Sequence, residues 1–417
     1  MAGERSLHTE SLRLYERARA VVPGGVPGIR APENFVEGDY PVFLAGGAGA
    51  YVTDVDGNEY LDMLLGYGPM LLGHACAEVD EAAARRQRAG FCLNLPQPEL
   101  VDLAERLVGM VPCAEQALFF KTGSDATSAA IRLARTHTGR SVVLRCGYHG
   151  WHDWCLAGDP GVPRAVTDTI VEFRYNDADQ LRELLRRHAG RVAAVILTPV
   201  GHDFDAQIEP PAEGFLQAVR SLADEHEAIL VFDEVRTGFR LAPGGAQQLY
   251  GITPDLTALG KAMSNGYPVS ALVGRRGVME AARRTFISST YFPNGLSMAA
   301  ALATLEILER DDVPTRVHRV GLELEAGLRA LVNETGLPVT LSPYPQMPFL
   351  YFDRSLAENQ DERRDRFYGF LASQGVFAHP RHHGFLSSRH GPEELARLLE
   401  TARRRFTGGS SVEAPLC

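Results

Sequence analysis

The stretch VAAVILTPV, residues 192–200, is an unbroken apolar run that precedes the helical pattern EGFLQAVRSLADEHE at 213–227. A second apolar run, AILVFDEV, follows at 228–235. Short apolar runs rich in β-branched residues are typical of strands that are buried on both faces of a sheet. Two such runs joined by a helix therefore predict a unit in which both strands lie parallel.

The same alternation extends to both sides of this unit. An apolar run at 115–123 precedes a helical pattern at 124–138, and further runs lie at 141–146 and 269–274. Strands that alternate with helices of this length indicate an α/β fold, with a mainly parallel sheet covered by helices on both faces. We expect this pattern to form a large domain.

The two ends of the chain predict a smaller α+β domain. Residues 9–20 are typical of a short amphipathic helix, and 49–63 of a hairpin around Asp-Gly. Helical patterns follow at 316–335 and 391–406. The predicted division gives residues 1–60 and 306–417 to the small domain and 61–305 to the large one, with a disordered tail from about 408 to 417.

The composition argues against several classes of protein. The 417 residues are 45% hydrophobic and 23% charged, and the formal charge of −10 argues against nonspecific binding to nucleic acid. The start, MAGERSLHTE, has no apolar stretch behind a basic region, and no apolar run approaches the roughly 20 residues of a membrane span. Six scattered cysteines without a CxxC pair are typical of reduced thiols. We therefore expect a cytoplasmic enzyme without nucleic-acid or membrane partners.

Lysine is rare in this chain: Lys121 and Lys261 are the two lysines among 42 basic residues. Arginine can replace lysine wherever a surface charge is sufficient. It cannot do so where a neutral amine must form a covalent bond, because the guanidinium stays protonated. A retained lysine is therefore enriched for chemistry, although Lys121 is equally well explained as a surface or capping residue. Lys261 lies in TALGKAMSNGYPVS, residues 257–270.

One predicted strand runs into FFKTGSDATSAA, residues 119–130, at the start of a helix. Ligands of such sheets bind at the carboxyl ends of the strands. Gly123 allows close approach of the backbone, Ser124 adds a hydroxyl, and the helix start presents free N–H groups to an anion. This pattern indicates a phosphate cradle, but an ordinary helix N-cap made by Ser124 or Asp125 explains it as well.

Two further strand ends carry ionisable groups. The apolar run before Asp233 and Glu234 makes both acids candidates for burial, which requires a cationic or metal partner. Salt bridges to arginines such as Arg236 are the simpler alternative. Successive strand residues face opposite ways, so the two acids are expected to differ in role. Lys261 lies on a loop before a strand, and LGKA lacks the first glycine and the Ser/Thr of a Walker phosphate loop.

Pyridoxal phosphate accounts for these three strand ends together. This cofactor needs an amine for a Schiff base, an acid at its ring nitrogen and an anion site for its phosphate. It also needs an aromatic face, which Tyr148 in CGYHGWHDW (146–154) offers. His149 and His152 also form a His-x-x-His pattern, but they lack an obvious third ligand, and we predict no metal.

The ordered motifs of the chain resemble those of the class III aminotransferases, which belong to the fold-type-I pyridoxal phosphate superfamily. The branch in question is similar to glutamate-1-semialdehyde aminomutase. The resemblance covers roughly residues 10–405. It rests on VVPGGVPGIR, LDMLLGYGPMLLGHA, TGSDATSAAIRLARTHTGR, GYHGWHD, LVFDEVRTGFR, PDLTALGKAMSNGYPVSALVG and STYFPNGLSMAAALATL. It implies a seven-stranded, mainly parallel sheet in the large domain and pyridoxal 5'-phosphate as the cofactor.

The resemblance also assigns residues around the cofactor. Lys261 would form the Schiff base and carry the proton between two carbons, and Asp233 would hold the ring nitrogen protonated. Tyr148, counted with them as catalytic, would pack against one face of the ring and Val235 against the other. The remaining cofactor contacts implied are Gly123 and Ser124 at the phosphate, with Thr290 contributed across the interface of a homodimer.

On the substrate side the chain departs from the aminomutase. Arg30 matches the arginine that meets the substrate carboxylate, and Tyr67 an aromatic residue that lines the pocket. However, GGVPGIR is one residue shorter than the aminomutase loop, and SNGYPVS replaces the glycine-rich stretch after the lysine. Thr198-Pro199 replaces a Glu-Pro of many relatives. Because the cofactor motifs are intact, these changes predict a different substrate. Further pocket candidates, with a structural role as the simpler explanation, are His202, Arg236, His382 and His383.

The leading functional prediction is an aminotransferase that moves an amino group between an amino donor and a specialised oxo substrate, in secondary-metabolite or modified-sugar biosynthesis. The alternatives are an intramolecular 1,2-aminomutase and an amino-acid racemase, which the same scaffold supports. A noncatalytic relative is a third hypothesis, against which the intact Lys261 and Asp233 argue.

Overall fold

The structure is a computed structural model that describes residues 7–201 and 207–407. It divides into two compact units. One comprises the chain up to Cys76 and from Arg316 onward, and the other runs from Ala77 to Thr315. The sequence placed the corresponding boundaries near residues 60 and 305. The predicted tail at about 408–417 lies outside the described residues.

Strands and helices alternate along the described residues. The strands are β1 Leu44–Ala48, β2 Tyr51–Asp54, β3 Glu59–Asp62, β4 Gln116–Phe120, β5 Val142–Cys146, β6 Ile170–Glu172, β7 Val192–Leu197, β8 Ile229–Asp233, β9 Leu256–Leu259, β10 Ser270–Gly274, β11 Thr340–Leu341, β12 Leu350–Tyr351 and β13 Val376–Phe377. The helices are α1 Thr9–Val21, α2 Ala77–Ala89, α3 Glu99–Met110, α4 Gly123–Thr138, α5 Arg164–Thr167, α6 Ala178–Arg187, α7 Phe215–Glu225, α8 Gly245–Tyr250, α9 Arg276–Met279, α10 Gly295–Arg310, α11 Val313–Thr335, α12 Gln360–Ser373 and α13 Pro392–Thr407.

The unit from Ala77 to Thr315 contains a seven-stranded sheet with the order β4-β10-β9-β8-β7-β5-β6. The strands β9, β8, β7, β5 and β6 run parallel to one another, while β10 is antiparallel to both of its neighbours, β4 and β9. The prediction of a mainly parallel α/β sheet is confirmed.

Alternate strand residues explain why this sheet needs helices on both faces. Val142 and Leu144 of β5 join a buried cluster that includes side chains of α6 and α7. The residue between them, Val143, joins the opposite cluster, which includes side chains of α4. Because both faces are buried, the strands read as continuous apolar runs in the sequence.

Two strands of this sheet were missed in the sequence. Strands β6 and β9 have only three and four residues, so they give little pattern. In β9 the polar Thr257 also interrupts the apolar run, although it is fully buried. Its hydroxyl lies 3.1 Å from the side-chain nitrogen of Gln247 and 3.2 Å from the Cys113 sulfur. A buried hydroxyl is tolerated because it has such partners.

The other unit contains a second sheet, with the order β1-β2-β3-β13. The hairpin predicted at 49–63 is confirmed by the antiparallel pair β2 and β3. The Asp56 carboxylate in its turn accepts the backbone N–H groups of Glu10 and Ser11 at 2.7 and 2.9 Å, and thereby caps α1. Among the helices described, none is both long and apolar enough to cross a membrane.

Candidate active site

Asp233 and Lys261 leave neighbouring parallel strands at the same edge of the sheet. Asp233 ends β8 and is paired across the sheet with Ala258 of β9, three residues before Lys261. Lys261 opens a short 3-10 turn, is partly buried and has a positive φ of 39°. Such a backbone conformation is strained for a residue with a side chain, and strain of this kind clusters at functional sites.

The buried carboxylate of Asp233 has a histidine partner. His149 Nδ1 lies 2.9 Å from Asp233 Oδ2, and His149 Nε2 lies 3.0 Å from the carbonyl oxygen of Cys146. A carbonyl oxygen only accepts, so Nε2 carries a hydrogen. The imidazole is thus held between the Asp233 carboxylate and the backbone at the end of β5. The other oxygen, Oδ1, accepts the backbone N–H of Val235 at 3.1 Å.

The second acid, Glu234, has a different role from Asp233. It is fully buried, and its carboxylate accepts hydrogen bonds from the Thr237 hydroxyl, the backbone N–H of Ala246, and the backbone and side-chain N–H groups of Gln247. Burial raises its pKa above the ordinary value, and these four donors offset only part of the rise. Glu234 therefore holds the turn from β8 to α8. The expected difference between the two acids is observed.

The N-cap of α4 is neither Ser124 nor Asp125, the two residues that the sequence suggested. The N-cap is Thr122, whose side chain forms a capping box with Asp125. Because Thr122 fills this role, the Ser124 hydroxyl is available for another: it is buried and accepts the backbone N–H of Trp151 at 3.2 Å. The loop that contains Tyr148 is thus docked on the first turn of α4.

Two glycines make this close docking possible. A Cβ at Gly123 would lie 2.9 Å from both methyl groups of Val235, and a Cβ at Gly150 would lie 2.3 Å from the Ser124 hydroxyl oxygen. A Cβ at Gly260, directly before Lys261, would approach Val235 to 3.4 Å. The Val235 side chain therefore lies between the start of α4 and the segment that carries Lys261.

Gly150→Ala is expected to lower the free energy of unfolding about 2 kcal/mol more than Gly158→Ala, which is within the range for forced overpacking. Both glycines have positive φ, of 114° and 90°, but a Cβ at Gly158 would meet open space. The pair thus separates the clash with Ser124 from backbone strain. Urea unfolding of the two variants, followed by circular dichroism, measures the difference. Equal losses would show that the loop moves freely away from α4.

Tyr148 lies beside this group of residues. Burial raises the pKa of its phenol, and the Cys155 thiol and the Asp233 carboxylate raise it further. The structure thus brings together Tyr148, Asp233, Val235 and the start of α4 at the edge from which Lys261 leaves the sheet. Thr290 differs from these residues, because it is an exposed turn residue.

The two predicted substrate residues, Arg30 and Tyr67, lie together in the other unit. The Arg30 guanidinium is 5.3 Å from the centre of the Tyr67 ring, and the Tyr67 hydroxyl donates to the carbonyl oxygen of Ile29 at 2.8 Å. Burial raises the pKa of Tyr67 to about 12, although Arg30 lowers it. His379 and His382 meet the same ring edge-on, with centroids 5.9 and 5.3 Å away.

His149 and His379 were not predicted as site residues, and His382 was only a pocket candidate. Burial and the nearby Arg381 lower the pKa of His379 to about 3, so its ring is neutral at physiological pH. The other pocket candidates have structural contacts: Arg236 donates to the carbonyl oxygen of Val200 at 3.1 Å, and His383 stacks on His382. His202 lies outside the described residues.

The groups at the sheet edge fit pyridoxal phosphate. A lysine follows one strand, and a buried acid with a histidine partner ends the neighbouring strand. Beside them a helix begins with a buried serine, and a tyrosine ring lies close to the acid. The aldehyde, ring nitrogen and phosphate of the cofactor each need one of these groups. Together with the sheet topology, they define a pyridoxal phosphate enzyme of fold type I.

The chain belongs to the class III aminotransferases, whose family model matches residues 35–337. It is 45% identical to the 3-aminobutyryl-CoA aminotransferase of Cloacimonas acidaminovorans, over 94% of this chain and 95% of that protein. It is 36% identical to the glutamate-1-semialdehyde 2,1-aminomutase of Akkermansia muciniphila, over 94% and 98%. Among solved structures, the PLP internal aldimine form of the FumI protein of Sphingopyxis sp. MTA144 superposes with a TM-score of 0.92 at 35% identity, over 96% of each chain.

These similarities confirm the predicted family, fold type, cofactor and aminotransferase activity. The aminomutase alternative is not favoured, because the similarity to an aminotransferase, at 45% identity, exceeds the 36% identity to the aminomutase. The enzyme is a pyridoxal phosphate-dependent aminotransferase, which requires an amino donor and an oxo acceptor.

Proposed function

We propose that this aminotransferase exchanges an amino group for an oxo group at carbon 3 of an acyl chain. The 45% identical relative is named for such a substrate, 3-aminobutyryl-CoA. The loop before Arg30 and the stretch SNGYPVS after Lys261 both differ from the aminomutase pattern, which supports a substrate unlike glutamate semialdehyde. The reaction takes place in the cytoplasm and serves a biosynthetic route.

The similarity to the 3-aminobutyryl-CoA aminotransferase carries the substrate class of the proposal. The buried pair of Asp233 and His149, beside the strand that leads to Lys261, supports its chemistry. Lys261 would hold the cofactor through its aldehyde and would carry the proton at the reacting carbon of the substrate. Asp233 pairs with the ring nitrogen, and His149 keeps Asp233 in position. When bound, the cofactor supplies an electron-withdrawing ring that stabilises negative charge at the carbon bearing the amino group.

The phosphate of the cofactor is assigned to Gly123 and Ser124, where the first turn of α4 presents N–H groups to an anion. Val235 and Tyr148 are assigned to the two faces of the ring. We assign a third phosphate contact to Thr290 of the partner subunit, since this residue is exposed in a turn of its own chain. The active enzyme is then a homodimer in which each site is completed by the other chain.

Arg30 and Tyr67 are assigned to the substrate. The guanidinium offers paired N–H donors to the acyl or carboxylate oxygens of a 3-amino acid derivative. The Tyr67 ring fixes this guanidinium through their contact at 5.3 Å, and its hydroxyl is held by the carbonyl oxygen of Ile29. The arrangement pre-orients the cation and reduces the entropy lost on binding.

We expect 3-aminobutyryl-CoA, or the free acid 3-aminobutyrate, to convert the bound cofactor from its aldehyde form to its amine form. The conversion is followed by absorbance in a single half-reaction, without an acceptor. Glutamate-1-semialdehyde serves as the comparison substrate. Failure of both 3-amino compounds, together with product formation from the semialdehyde in the absence of any second oxo substrate, would contradict the proposal and favour the aminomutase.

A further inference from the structure

Lys121, the second lysine of the chain, lies directly beside the proposed phosphate cradle. It follows the last residue of β4 and precedes Thr122, the N-cap of α4. The chain uses arginine at almost all of its 42 basic positions, and Lys121 and Lys261 are the two exceptions. An ammonium is a compact cation with three rotatable donors, whereas a guanidinium is a rigid planar fork.

Two hydrogen bonds hold Lys121 and the adjacent Thr122 against the segment that follows Lys261. The Lys121 ammonium donates to the carbonyl oxygen of Pro268 at 3.1 Å. In the opposite direction, the Ser270 hydroxyl donates to the carbonyl oxygen of Thr122 at 2.6 Å. The amine is therefore fixed in position at the entrance of α4, and its stem is partly buried.

A negative charge, the Asp125 carboxylate, lies next to the phosphate cradle and close to Lys121. The Asp125 carboxylate accepts both the backbone N–H and the hydroxyl of Thr122 at 2.8 Å, so it lies within the first turn of α4. A negative group there opposes the binding of a phosphate. Burial lowers the pKa of Lys121 to about 8, while the Asp125 carboxylate and the Cys92 thiol, the charged and titratable groups that act on it, raise it.

We propose that Lys121 is a positioning residue whose positive charge offsets Asp125 at the cradle and thereby strengthens the binding of the phosphate group of the cofactor. The proposal rests on the cofactor site described above and adds a residue to it. Both lysines of the chain would then act at the cofactor site: Lys261 would react with the aldehyde, and Lys121 would balance the charge around the phosphate.

The experiment compares two probes, pyridoxal phosphate and pyridoxal, which share the aldehyde and the ring but differ in the phosphate. Their dissociation constants are measured with the apoenzyme by absorbance. We expect Lys121→Met to weaken pyridoxal phosphate about tenfold and to change the affinity for pyridoxal less than about twofold. Lys121→Arg, which keeps the charge, is expected to retain most of the affinity for the phosphate form. Arg187→Met, at an exposed position on α6, is the control for a general loss of charge.

The pH dependence provides an independent readout. Only the protonated Lys121 amine attracts the phosphate. Pyridoxal phosphate should therefore bind more tightly than pyridoxal by the full factor below the pKa of Lys121 in the free enzyme, which is about 8. The bound phosphate raises that pKa, and the advantage is lost as the pH rises through the higher value. In the unaltered enzyme, we expect the dissociation constant of pyridoxal divided by that of pyridoxal phosphate to fall between about pH 7.5 and about pH 10. In Lys121→Met and Lys121→Arg this ratio should stay constant over the same range.

Two results would overturn the proposal. An equal loss for both probes in Lys121→Met would show that the bond to Pro268 positions the Lys261 segment instead. If Lys121→Met changed neither dissociation constant, Lys121 would be an ordinary surface cation. Asp125→Asn tests the charge balance directly, because in this background Lys121→Met should have a smaller effect. If the proposed cofactor site were wrong, neither pyridoxal phosphate nor pyridoxal would form a lysine-bound absorbance band in the unaltered enzyme. That result differs from both outcomes given above for Lys121.

Discussion

Lys261→Ala is expected to reduce turnover by about 10⁴-fold or more, since general acid–base catalysis alone contributes about 10²–10⁴-fold and the variant also loses the covalent attachment of the cofactor. The purified variant should lack the absorbance band of a lysine-bound aldehyde. After treatment with borohydride, which reduces such a bond irreversibly, no cofactor should remain attached to the chain. Absorbance spectroscopy and intact-mass measurement test both expectations.

Lys261→Arg is the matched variant for this experiment, because it keeps a positive charge but cannot form the bond. It should fail in the same way as Lys261→Ala, which would separate the covalent role from an electrostatic one. The scarcity of lysine makes the unaltered enzyme equally informative, because Lys121 and Lys261 are the only side chains with a primary amine to which the reduced cofactor can be attached. Attachment at Lys121 would refute the assignment of Lys261.

The sheet and its ionisable strand ends were predictable because burial on both faces leaves a continuous apolar signal. Strands β7 and β8 and the helix α7 between them could be read directly from the sequence. The two acids at the end of β8 interrupt that signal, and for this reason they indicated a site. Strand β9 escaped prediction because its four residues include Thr257, whose hydroxyl is satisfied by distant side chains.

The partner of Asp233 could not be predicted from the sequence. His149 follows β5, and β7 lies between β5 and β8 in the sheet, so the two residues are not neighbours in any local pattern. They are 84 residues apart in the chain, and the contact depends on how the loop after Cys146 folds back. Similarly, the assignment of Thr122 as the N-cap depends on its reciprocal bonds with Asp125, which cannot be distinguished in sequence from a cap at Ser124.

The second large effect is expected at Asp233. Asp233→Ala should lower turnover about a thousandfold, which is the upper end of the roughly 10²–10³-fold that the loss of one preorganised electrostatic contact costs in rate. The ring nitrogen of the cofactor loses its proton when the carboxylate is gone, because the anion no longer stabilises the charged form. Lys261 is unaffected, so a fraction of the enzyme should still carry the cofactor. Turnover is therefore compared per bound cofactor, measured by absorbance.

Two further variants decide whether this effect comes from the charge of Asp233. Asp233→Asn keeps the shape and an oxygen for the Val235 N–H, but its neutral amide cannot hold the ring nitrogen protonated, so it should resemble Asp233→Ala in rate. Glu234→Gln is the matched control, since it removes the charge of an equally buried acid one residue further along. Its amide would face the donors of Thr237, Ala246 and Gln247, so this variant should lose about 1–3 kcal/mol of stability while the folded enzyme keeps its turnover. If Asp233→Asn retained near-normal turnover per bound cofactor, the carboxylate would be a structural partner of His149 and not the counter-ion of the ring.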